Sequence, residues 1–224
     1  LTISPESIGP NEVIASLAPA YEVVALSANS SIERFCQQVT TARPRYAAIT
    51  DPVAAQQCRQ RLSGLDCQFL SGPESLVQIA SLDEVDIVLC AVVGAAGLPA
   101  ALAAARAGKT LAIANKEPLV IAGELLTETA QNNGAAILPI DSEHSAVFQA
   151  MQAGSPAEVS RVILTASGGP FRTATIDQMN TATVQQALNH PTWSMGPKIT
   201  VDSASMMNKA LEVIEAVWLF GLSV

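Results

Sequence analysis

A short apolar run ends at two carboxylates that could chelate a metal ion. Residues 135–140 are typical of a buried strand, and Asp141 and Glu143 follow directly, with the Ser142 hydroxyl between them. In open α/β sheets, ligands bind just past the carboxyl ends of the strands. Two oxygen donors there predict a divalent cation site, provided that a third carboxylate arrives from elsewhere. The alternative is a helix start, in which Asp141 or Ser142 is the N-cap and Glu143 favours the helix dipole.

The last helical segment offers that third carboxylate. Asn208 and Glu212 are four residues apart and Lys209 and Glu212 three apart, so the three share one helical face. This face is either the solvated side of an amphipathic helix or part of a site that uses an amide, a cation and a carboxylate. Glu212 is the candidate third ligand, and Glu215, one turn on, is its competitor. A set of oxygen ligands selects Mg²⁺ or Mn²⁺ over zinc.

Two loops at the ends of predicted strands suit a cofactor. Residues 93–97 (Val-Gly-Ala-Ala-Gly) let the backbone approach a ligand closely. Residues 114–117 (Ala-Asn-Lys-Glu) place the Lys116 cation at the same rim, although a lone lysine there is commonly solvated or salt-bridged. Past residues 21–28, Asn29 and Ser30 bring polar groups but no carboxylate. Because an NAD site uses a carboxylate for the ribose hydroxyls, this favours NADP, with an ordinary helix cap as the alternative.

Two later loops suit an anionic ligand. Residues 166–172 form a glycine-rich loop with a hydroxyl and a guanidinium, a composition suited to an anion. Residues 190–198 place prolines and a glycine around Trp193, which predicts a loop that closes over a ligand. The alternative for the second loop is a plain surface connection in which Trp193 packs on the core.

Short apolar runs alternate with amphipathic segments up to Ile140, which predicts βαβ units and a parallel sheet. The unbroken apolar run 86–93 indicates a strand covered on both faces. We therefore expect an α/β fold: a Rossmann-like doubly wound parallel sheet over residues 1–141, then an α+β catalytic domain over 142–224. The predicted strands are 21–28, 45–50, 67–70, 85–93, 109–114, 135–140 and 158–165. The predicted helices are 31–42, 52–62, 73–82, 98–107, 119–132, 142–151 and a last one from 201.

Composition excludes several classes of protein. The chain has 224 residues, 49 % of them hydrophobic and 14 % charged, which is typical of a globular protein. Its net charge of -8 argues against a nucleic-acid partner. Residues 87–105 are uncharged, but Gly94, Gly97 and Pro99 divide them into a strand, a turn and a helix, so no membrane span is expected. The four cysteines show no CxxC spacing, which predicts buried thiols in a reducing compartment.

Six blocks of sequence occur in the order found in one family: residues 94–97, 114–117, 141–144, 167–171, 190–196 and 202–209. Over nearly all of its length the chain resembles the 1-deoxy-D-xylulose 5-phosphate reductoisomerases of the non-mevalonate isoprenoid pathway. That family rearranges 1-deoxy-D-xylulose 5-phosphate and reduces the product with NADPH to 2-C-methyl-D-erythritol 4-phosphate. The resemblance implies NADPH and a divalent cation, Mg²⁺ or Mn²⁺ with Co²⁺ as a further candidate, as cofactors, and a sugar phosphate as substrate.

The resemblance also implies a set of site residues. The metal ligands would be Asp141, Glu143 and Glu212. The catalytic groups would be Lys116, Glu143 and His190. The substrate contacts would be Lys116, Ser142, Glu143, Ser167, His190, Trp193, Ser203, Asn208, Lys209 and Glu212. The cofactor contacts would be Ser7, Ile8, Asn29, Ser30, Asn115 and Glu117.

The chain departs from the family pattern at three places. The first turn keeps Ser7, Ile8 and Gly9, whereas the family has a glycine-rich Gly-Ser-Thr-Gly-Ser-Ile-Gly turn. A lysine or arginine common in the family near Ser30 is missing. Family chains continue past the position of Val224 with strands used in dimerisation and a helical domain. The resemblance therefore implies a partial chain, a homodimer for the full-length protein, and a bacterial cytoplasmic or plastid location.

The altered first turn motivates a competing hypothesis, a catalytically silent homologue that binds metal and sugar phosphate without productive NADPH binding. An unrelated Rossmann dehydrogenase would leave the three carboxylates unexplained.

Overall fold

The computed structural model of the protein describes residues 10–193 and 195–223, and its first part alternates strands with helices. The strands are β1 (Ala25–Ala28), β2 (Tyr46–Ile49), β3 (Gln68–Ser71), β4 (Ile87–Cys90), β5 (Thr110–Ile113) and β6 (Ile137–Pro139). The helices between them are α1 (Pro10–Ser16), α2 (Ile32–Ala42), α3 (Pro52–Arg61), α4 (Glu74–Ala80), α5 (Leu98–Arg106) and α6 (Glu117–Asn132). The later helices are α7 (Ser142–Met151), α8 (Ile176–Asn180), α9 (Val184–Ala187), α10 (Pro197–Ala204) and α11 (Met207–Phe220).

All six strands pair in parallel, which confirms the predicted α/β class. They form two three-stranded sheets, ordered β1-β2-β3 and β4-β5-β6. Within residues 10–193 and 195–223, no ladder joins β1 to β4, so the doubly wound sheet is present there as two sheets. Because both sheets are parallel, the loops after their strands gather at the carboxyl edge of each sheet.

The two sheets differ in how they are covered. In β2 the residues Ala47, Ala48 and Ile49 are fully buried, as expected for a strand with both faces covered. In β4, by contrast, Ile87 and Leu89 are 47 % and 40 % exposed. The prediction that residues 86–93 are covered on both faces is therefore wrong. The apolar content of the run identified a strand, but the described helices pack against only one of its faces.

A glycine sets the position of α11. Ideal Cβ geometry at Gly123 of α6 would place that atom 2.2 Å from Cδ1 of Trp218, so only glycine lets the indole lie against the α6 backbone. Leu119 and Leu126 of α6 are fully buried in the same apolar cluster, against which Trp218 packs. This packing docks α11, which carries Glu212, against α6, which follows Lys116.

Two predicted elements differ from the observed ones. The helix expected from Val201 is two helices, because Met206 adopts a left-handed conformation with φ 61° and ends the run between α10 and α11. The strand predicted over Glu158–Thr165 is absent, because no described strand lies alongside to share its backbone hydrogen bonds.

No described helix is both long enough and apolar enough to cross a bilayer. All four cysteines are free thiols, and Cys58 and Cys90 are buried.

Candidate functional site

Three carboxylates converge where β6 ends and α11 begins. Asp141 is the N-cap of α7, Glu143 lies in the first turn of α7, and Glu212 comes from α11. One ligand oxygen from each residue lies within 4.8 Å of the others. The N-cap interpretation of Asp141 is confirmed, because its Oδ1 accepts a hydrogen bond of 3.2 Å from the Glu143 backbone N–H. Capping aims the Asp141 carboxylate at the end of the sheet, so Asp141 can be both the N-cap of α7 and a candidate metal ligand.

Two lysines neutralise part of this negative charge. Lys116 Nζ donates to Asp141 Oδ2 at 2.5 Å and to Glu212 Oε1 at 3.3 Å. Lys209 Nζ donates to Glu143 Oε1 at 3.2 Å and also contacts Glu212 Oε2. Glu212 is only 1 % exposed, so a buried carboxylate between two cations is the centre of the cluster. The salt-bridged alternative for Lys116 is thus what the structure contains, with Asp141 as its nearest partner.

The charges in the cluster shift the pKa values of Asp141 and Lys116. Burial alone would raise the pKa of Asp141, but the Lys116 cation outweighs it and holds that pKa below its ordinary value. Burial alone would lower the pKa of Lys116, yet Asp141, Glu215 and Glu212 together hold that pKa above its ordinary value. These shifts keep the Asp141–Lys116 pair ionised around neutral pH.

Glu215 differs from Glu212 in its surroundings. Its Oε2 lies 3.7 Å from Lys116 Nζ and 3.9 Å from His144 Nδ1, and it is outside the carboxylate trio. Burial raises the pKa of Glu215 to about 8, against the opposing effect of Lys116. A carboxyl that stays protonated near pH 7 is a poor metal ligand, so the geometry favours Glu212 as the third ligand.

His144 is a residue of this site that the sequence pattern did not single out. It is fully buried, and its Nε2 lies 2.9 Å from the backbone oxygen of Glu212. A carbonyl only accepts hydrogen bonds, so Nε2 carries the proton and His144 fixes the backbone of Glu212. The signal available in the sequence was its spacing, three residues after Asp141, which brings His144 Nδ1 to 3.6 Å from Asp141 Oδ1.

The predicted anion loop lies next to the carboxylates. Ser167, Ser203, Asn208 and Lys209 line a cavity of about 40 Å³ that Glu143 also borders. Gly169 has φ +64°, and a Cβ there would lie 2.6 Å from the backbone oxygen of Ser203. Glycine is therefore required for the loop to pack against α10.

His190 fixes the orientation of the Ser167 hydroxyl. His190 Nδ1 accepts backbone N–H bonds from Thr192 at 3.1 Å and Trp193 at 2.9 Å. Nε2 is therefore the protonated nitrogen, and it donates to Ser167 Oγ at 3.2 Å. Burial lowers the pKa of His190, which favours this neutral form. Since Ser167 Oγ also accepts the Gly169 N–H at 3.3 Å, its own proton is left to donate to a ligand.

The remaining substrate candidates are also near the carboxylates. Ser142 Oγ donates to Glu143 Oε2 at 2.5 Å, and Asn208 Nδ2 donates to Glu212 Oε1 at 2.5 Å. The shared helical face of Asn208, Lys209 and Glu212 is confirmed by these contacts. Trp193 is 61 % exposed, so the interpretation that it packs on the core is wrong.

The cofactor candidates fall into two groups. Asn29 and Ser30 are exposed just past β1, and Asn29 Oδ1 accepts a hydrogen bond of 2.7 Å from Thr50. Asn115 is buried past β5, and neither polar atom of its side chain has a partner among the described residues. The carboxylate of Glu117 pairs with Lys198 Nζ at 2.6 Å. Ser7 and Ile8 lie outside the described residues.

The arrangement matches known proteins. Residues 4–123 match the family model described as 1-deoxy-D-xylulose 5-phosphate reductoisomerase, and residues 137–220 match the model of the C-terminal domain of that enzyme. The 1-deoxy-D-xylulose 5-phosphate reductoisomerase of Methylobacillus flagellatus is 49 % identical over 221 residues, covering 96 % of this chain and 56 % of its own length. That of Methylococcus capsulatus is 54 % identical over 217 residues, covering 93 % and 55 %.

Solved structures give the same result. A crystal structure of DOX-P reductoisomerase in complex with NADPH, fosmidomycin and magnesium superposes with a TM-score of 0.86 at 44 % identity. It covers 95 % of this chain and 55 % of its own. The Zymomonas mobilis enzyme in complex with NADPH also gives 0.86, at 39 % identity, covering 96 % and 56 %. The chain thus spans about half the length of the relatives it matches. By sequence and by fold, it belongs to the 1-deoxy-D-xylulose 5-phosphate reductoisomerase family.

Proposed function

We propose that the chain carries the metal site and sugar-phosphate site of a reductoisomerase that converts 1-deoxy-D-xylulose 5-phosphate to 2-C-methyl-D-erythritol 4-phosphate with NADPH. The observation that carries this proposal is the convergence of Asp141, Glu143 and Glu212 within 4.8 Å, beside the loop at Ser167. An unrelated dehydrogenase would have no use for three carboxylates at this position.

The three carboxylates fit a hard divalent cation. They offer only oxygen donors from two separate elements, which suits Mg²⁺ or Mn²⁺, with Co²⁺ as a further candidate. When bound, such an ion acts as a Lewis acid on carbonyl and hydroxyl oxygens of the sugar. The buried Oδ1 of Asn208, which has no hydrogen-bond partner in the described part of the chain, adds a further oxygen at the edge of the site.

The side chains around the carboxylates would orient the substrate. Lys116 and Ser142 lie against Asp141 and Glu143, where they can contact the sugar backbone. Ser167, Ser203, Asn208 and Lys209 would hold the phosphate, with His190 positioning the Ser167 hydroxyl. Trp193, exposed beside this loop, would cover the bound substrate and exclude water. Lys116, Glu143 and His190 are the proposed catalytic groups.

Asn115 supports a nucleotide cofactor. Its amide is buried without a partner in the described residues, and it lies so close to Gly97 that a Cβ at Gly97 would be 2.7 Å from Asn115 Nδ2. A buried amide without a partner is costly, and a ligand that accepts and donates hydrogen bonds there would satisfy it. We assign the contacts with NADPH to Asn29, Ser30, Asn115 and Glu117, and to Ser7 and Ile8, which lie outside the described residues. Two relatives of known structure were solved in complex with NADPH, which supports the assignment.

The domain boundary, assembly and location follow as proposals. We place an NADP-binding domain at residues 1–141 and a catalytic domain at 142–224, a division that the ranges of the two family models support. By analogy with the family, the full-length protein would be a homodimer acting on a small sugar phosphate. The relatives named above are bacterial, which favours the cytoplasm of a bacterium over a plastid.

The test is NADPH consumption, followed by absorbance, with 1-deoxy-D-xylulose 5-phosphate and Mn²⁺, repeated with a chelator. Consumption that requires the metal is the expected result. Retained binding of metal and substrate without consumption or NADPH binding would instead support the silent homologue. Consumption that persists with the chelator would contradict the metal site.

A further inference from the structure

An ion pair joins two parts of the chain that are far apart in sequence. We have assigned one of them to the cofactor and the other to the substrate. Lys198, in the first turn of α10, places its Nζ 2.6 Å from Glu117 Oε1 and 2.8 Å from Asp202 Oδ2. Glu117 begins α6, directly after Lys116 and Asn115. Lys198 closely follows His190, Trp193 and Gly196, the loop beside the phosphate-binding residues.

Glu117 lies on the cofactor side. The backbone N–H groups of Gly94 and of Glu117 itself help to hold the pKa of its carboxyl below the ordinary value. Gly94 begins the short 3₁₀ turn Gly94–Gly97, whose last residue packs against the Asn115 amide. The Glu117 carboxylate therefore lies beside this turn at the start of α6, and the ion pair with Lys198 connects it to α10.

Gly196, the N-cap of α10, is bonded into the first turn of that helix. Thr200 is 2 % exposed, and both its N–H and its hydroxyl donate to the Gly196 carbonyl, at 3.1 and 2.9 Å. Pro197 occupies the first turn of α10, where it restricts the backbone. An anchor at Lys198, in the same turn, would therefore also restrain Gly196, where the preceding loop ends.

The pair also removes charge from the rim where an anionic cofactor would bind. Glu117 and Asp202 have side-chain exposures of 18 % and 16 %, and Lys198 lies between them. Without the lysine, two partly buried carboxylates would add negative charge beside the residues to which we assign NADPH, and would oppose the binding of that anion.

We propose that Lys198 is a positioning residue that ties the α10 end of the substrate loop to the cofactor rim through Glu117, and so couples NADPH binding to the substrate side. The inference rests on the proposed function of the site. Lys198 touches neither reacting group; it acts through Glu117 and the start of α10.

The test compares Lys198→Met with Lys198→Arg, Glu117→Gln, the Lys198→Met/Glu117→Gln double variant, and the control Lys109→Met in the full chain. Lys109 is a half-buried lysine away from the site, and its Nζ donates to the backbone oxygen of Asp83 at 3.2 Å. NADPH affinity is measured by fluorescence of the bound nicotinamide. We expect Lys198→Met to weaken NADPH binding by about fivefold to tenfold. In turnover, the KM for NADPH should change more than kcat. Lys198→Arg should retain most of the NADPH affinity of wild type. Because Lys198 acts through Glu117, the double variant should bind NADPH about as tightly as Glu117→Gln alone.

Because repulsion between charges is screened by salt, the defect of Lys198→Met should shrink at high ionic strength. Mn²⁺ affinity should stay within about twofold of wild type, since no proposed ligand is altered. NADPH affinity equal to that of Lys109→Met, or losses that add in the double variant, would overturn the proposal.

A second measurement separates this inference from the proposed function. Hydrogen exchange of the α10 amides, followed by mass spectrometry without ligand, should be faster in Lys198→Met than in wild type and Lys109→Met. Unchanged hydrogen exchange would contradict the proposal that Lys198 anchors α10. If wild-type protein binds no NADPH, the proposed function fails, and the exchange experiment alone decides whether Lys198 anchors α10.

Discussion

The carboxylate cluster and the anion loop are adjacent, yet they are held in place by different means. In the cluster, Glu212 is 1 % exposed and lies between two lysines. In the loop, Ser167 and His190 are held by a few hydrogen bonds near the surface, and Trp193 is largely exposed. Buried charges tolerate little movement, because each loses its partner if it shifts. The carboxylate cluster is therefore built to be rigid, and the anion loop to adjust.

The two regions share Lys209 and Asn208. Both residues line the cavity beside Ser167, and both bond carboxylates of the cluster. Changes at the cluster should consequently reach the loop, whereas changes in the loop should leave the cluster intact. The predictions below test this asymmetry.

Glu212→Gln should have the largest effect. The change removes the central negative charge with little change in volume, and it leaves Lys116 and Lys209 facing each other with fewer anions. We expect Mg²⁺ affinity, measured by calorimetry, to fall by at least the 10–100-fold that outer-shell changes around a metal usually cost. Metal-dependent turnover should disappear.

Glu215→Gln is the matched control, because Glu215 lies one turn away and its pKa of about 8 keeps it protonated at neutral pH. Metal affinity close to wild type is expected for it. A larger loss from Glu215→Gln than from Glu212→Gln would mean that the third ligand is Glu215.

Lys209→Met should separate the two regions. A divalent ion on Glu143 and Glu212 would weaken their hold on Lys209 and free its ammonium group for a phosphate. Saturating Mg²⁺ should thus tighten the binding of inorganic phosphate to wild type by about fivefold or more, within the usual range for coupled sites. In Lys209→Met this coupling should vanish, and Mg²⁺ alone should bind more tightly because a competing cation is gone. Equal metal–phosphate coupling in both proteins, by calorimetry, would contradict the role of Lys209.

Much of the rigid region could be predicted because its signals are local. Asp141 and Glu143 directly follow a strand, and the spacing of Asn208 and Glu212 on one helix is realised in their 2.5 Å hydrogen bond. The pairing of Lys116 with Glu212 had no such signal, because the two are 96 residues apart. It depends on how α11 docks on α6 through Trp218 and Gly123, which only the three-dimensional packing determines.

The errors in the fold have a similar cause. The strand expected over Glu158–Thr165 has the right composition, but a strand forms only where a neighbour shares its hydrogen bonds. The exposure of Ile87 and Leu89 on one face of β4 could not be predicted, because apolar composition does not determine which elements pack against a strand. The break at Met206 gave no warning, because a left-handed methionine is rare and no glycine marked it.

Gly169→Ala should disturb the adjustable region alone. The new Cβ would lie 2.6 Å from the Ser203 backbone oxygen at a residue with φ +64°. Overpacking of this kind costs about 1–3 kcal/mol in the free energy of unfolding. We expect about 1.4 kcal/mol of this cost to oppose phosphate binding, which corresponds to an about tenfold loss of phosphate affinity. Mg²⁺ affinity should stay near wild type.

Gly134→Ala provides the control for backbone strain. Gly134 also has a positive φ, +69°, but a Cβ there meets nothing within 4 Å. The excess destabilisation of Gly169→Ala over Gly134→Ala, measured by urea unfolding, is the cost of the contact with Ser203. Loss of Mg²⁺ binding in Gly169→Ala would show that the cluster depends on the loop and would contradict the asymmetry.

The smallest expected effect is on the pH dependence of the unfolding free energy, through the Glu117–Lys198 pair. Burial alone would raise the pKa of Glu117, but Lys198 and nearby backbone N–H groups outweigh it and hold that pKa below its ordinary 4.5. A carboxyl whose pKa is lowered by folding stabilises the folded state above its unfolded pKa, and this contribution is lost as pH falls through the folded pKa.

Because Lys198 is 49 % exposed, water screens the pair and its contribution is at most about 1 kcal/mol. The difference in unfolding free energy between wild type and Glu117→Gln should therefore be constant from pH 8 to about 5.5 and shrink as the pH falls below about 4.5. Urea titrations across this range measure it, and the comparison with Glu117→Gln removes the parallel titration of Asp141. A difference that grows as the pH falls would mean that Glu117 is destabilised by its burial more than it is stabilised by Lys198.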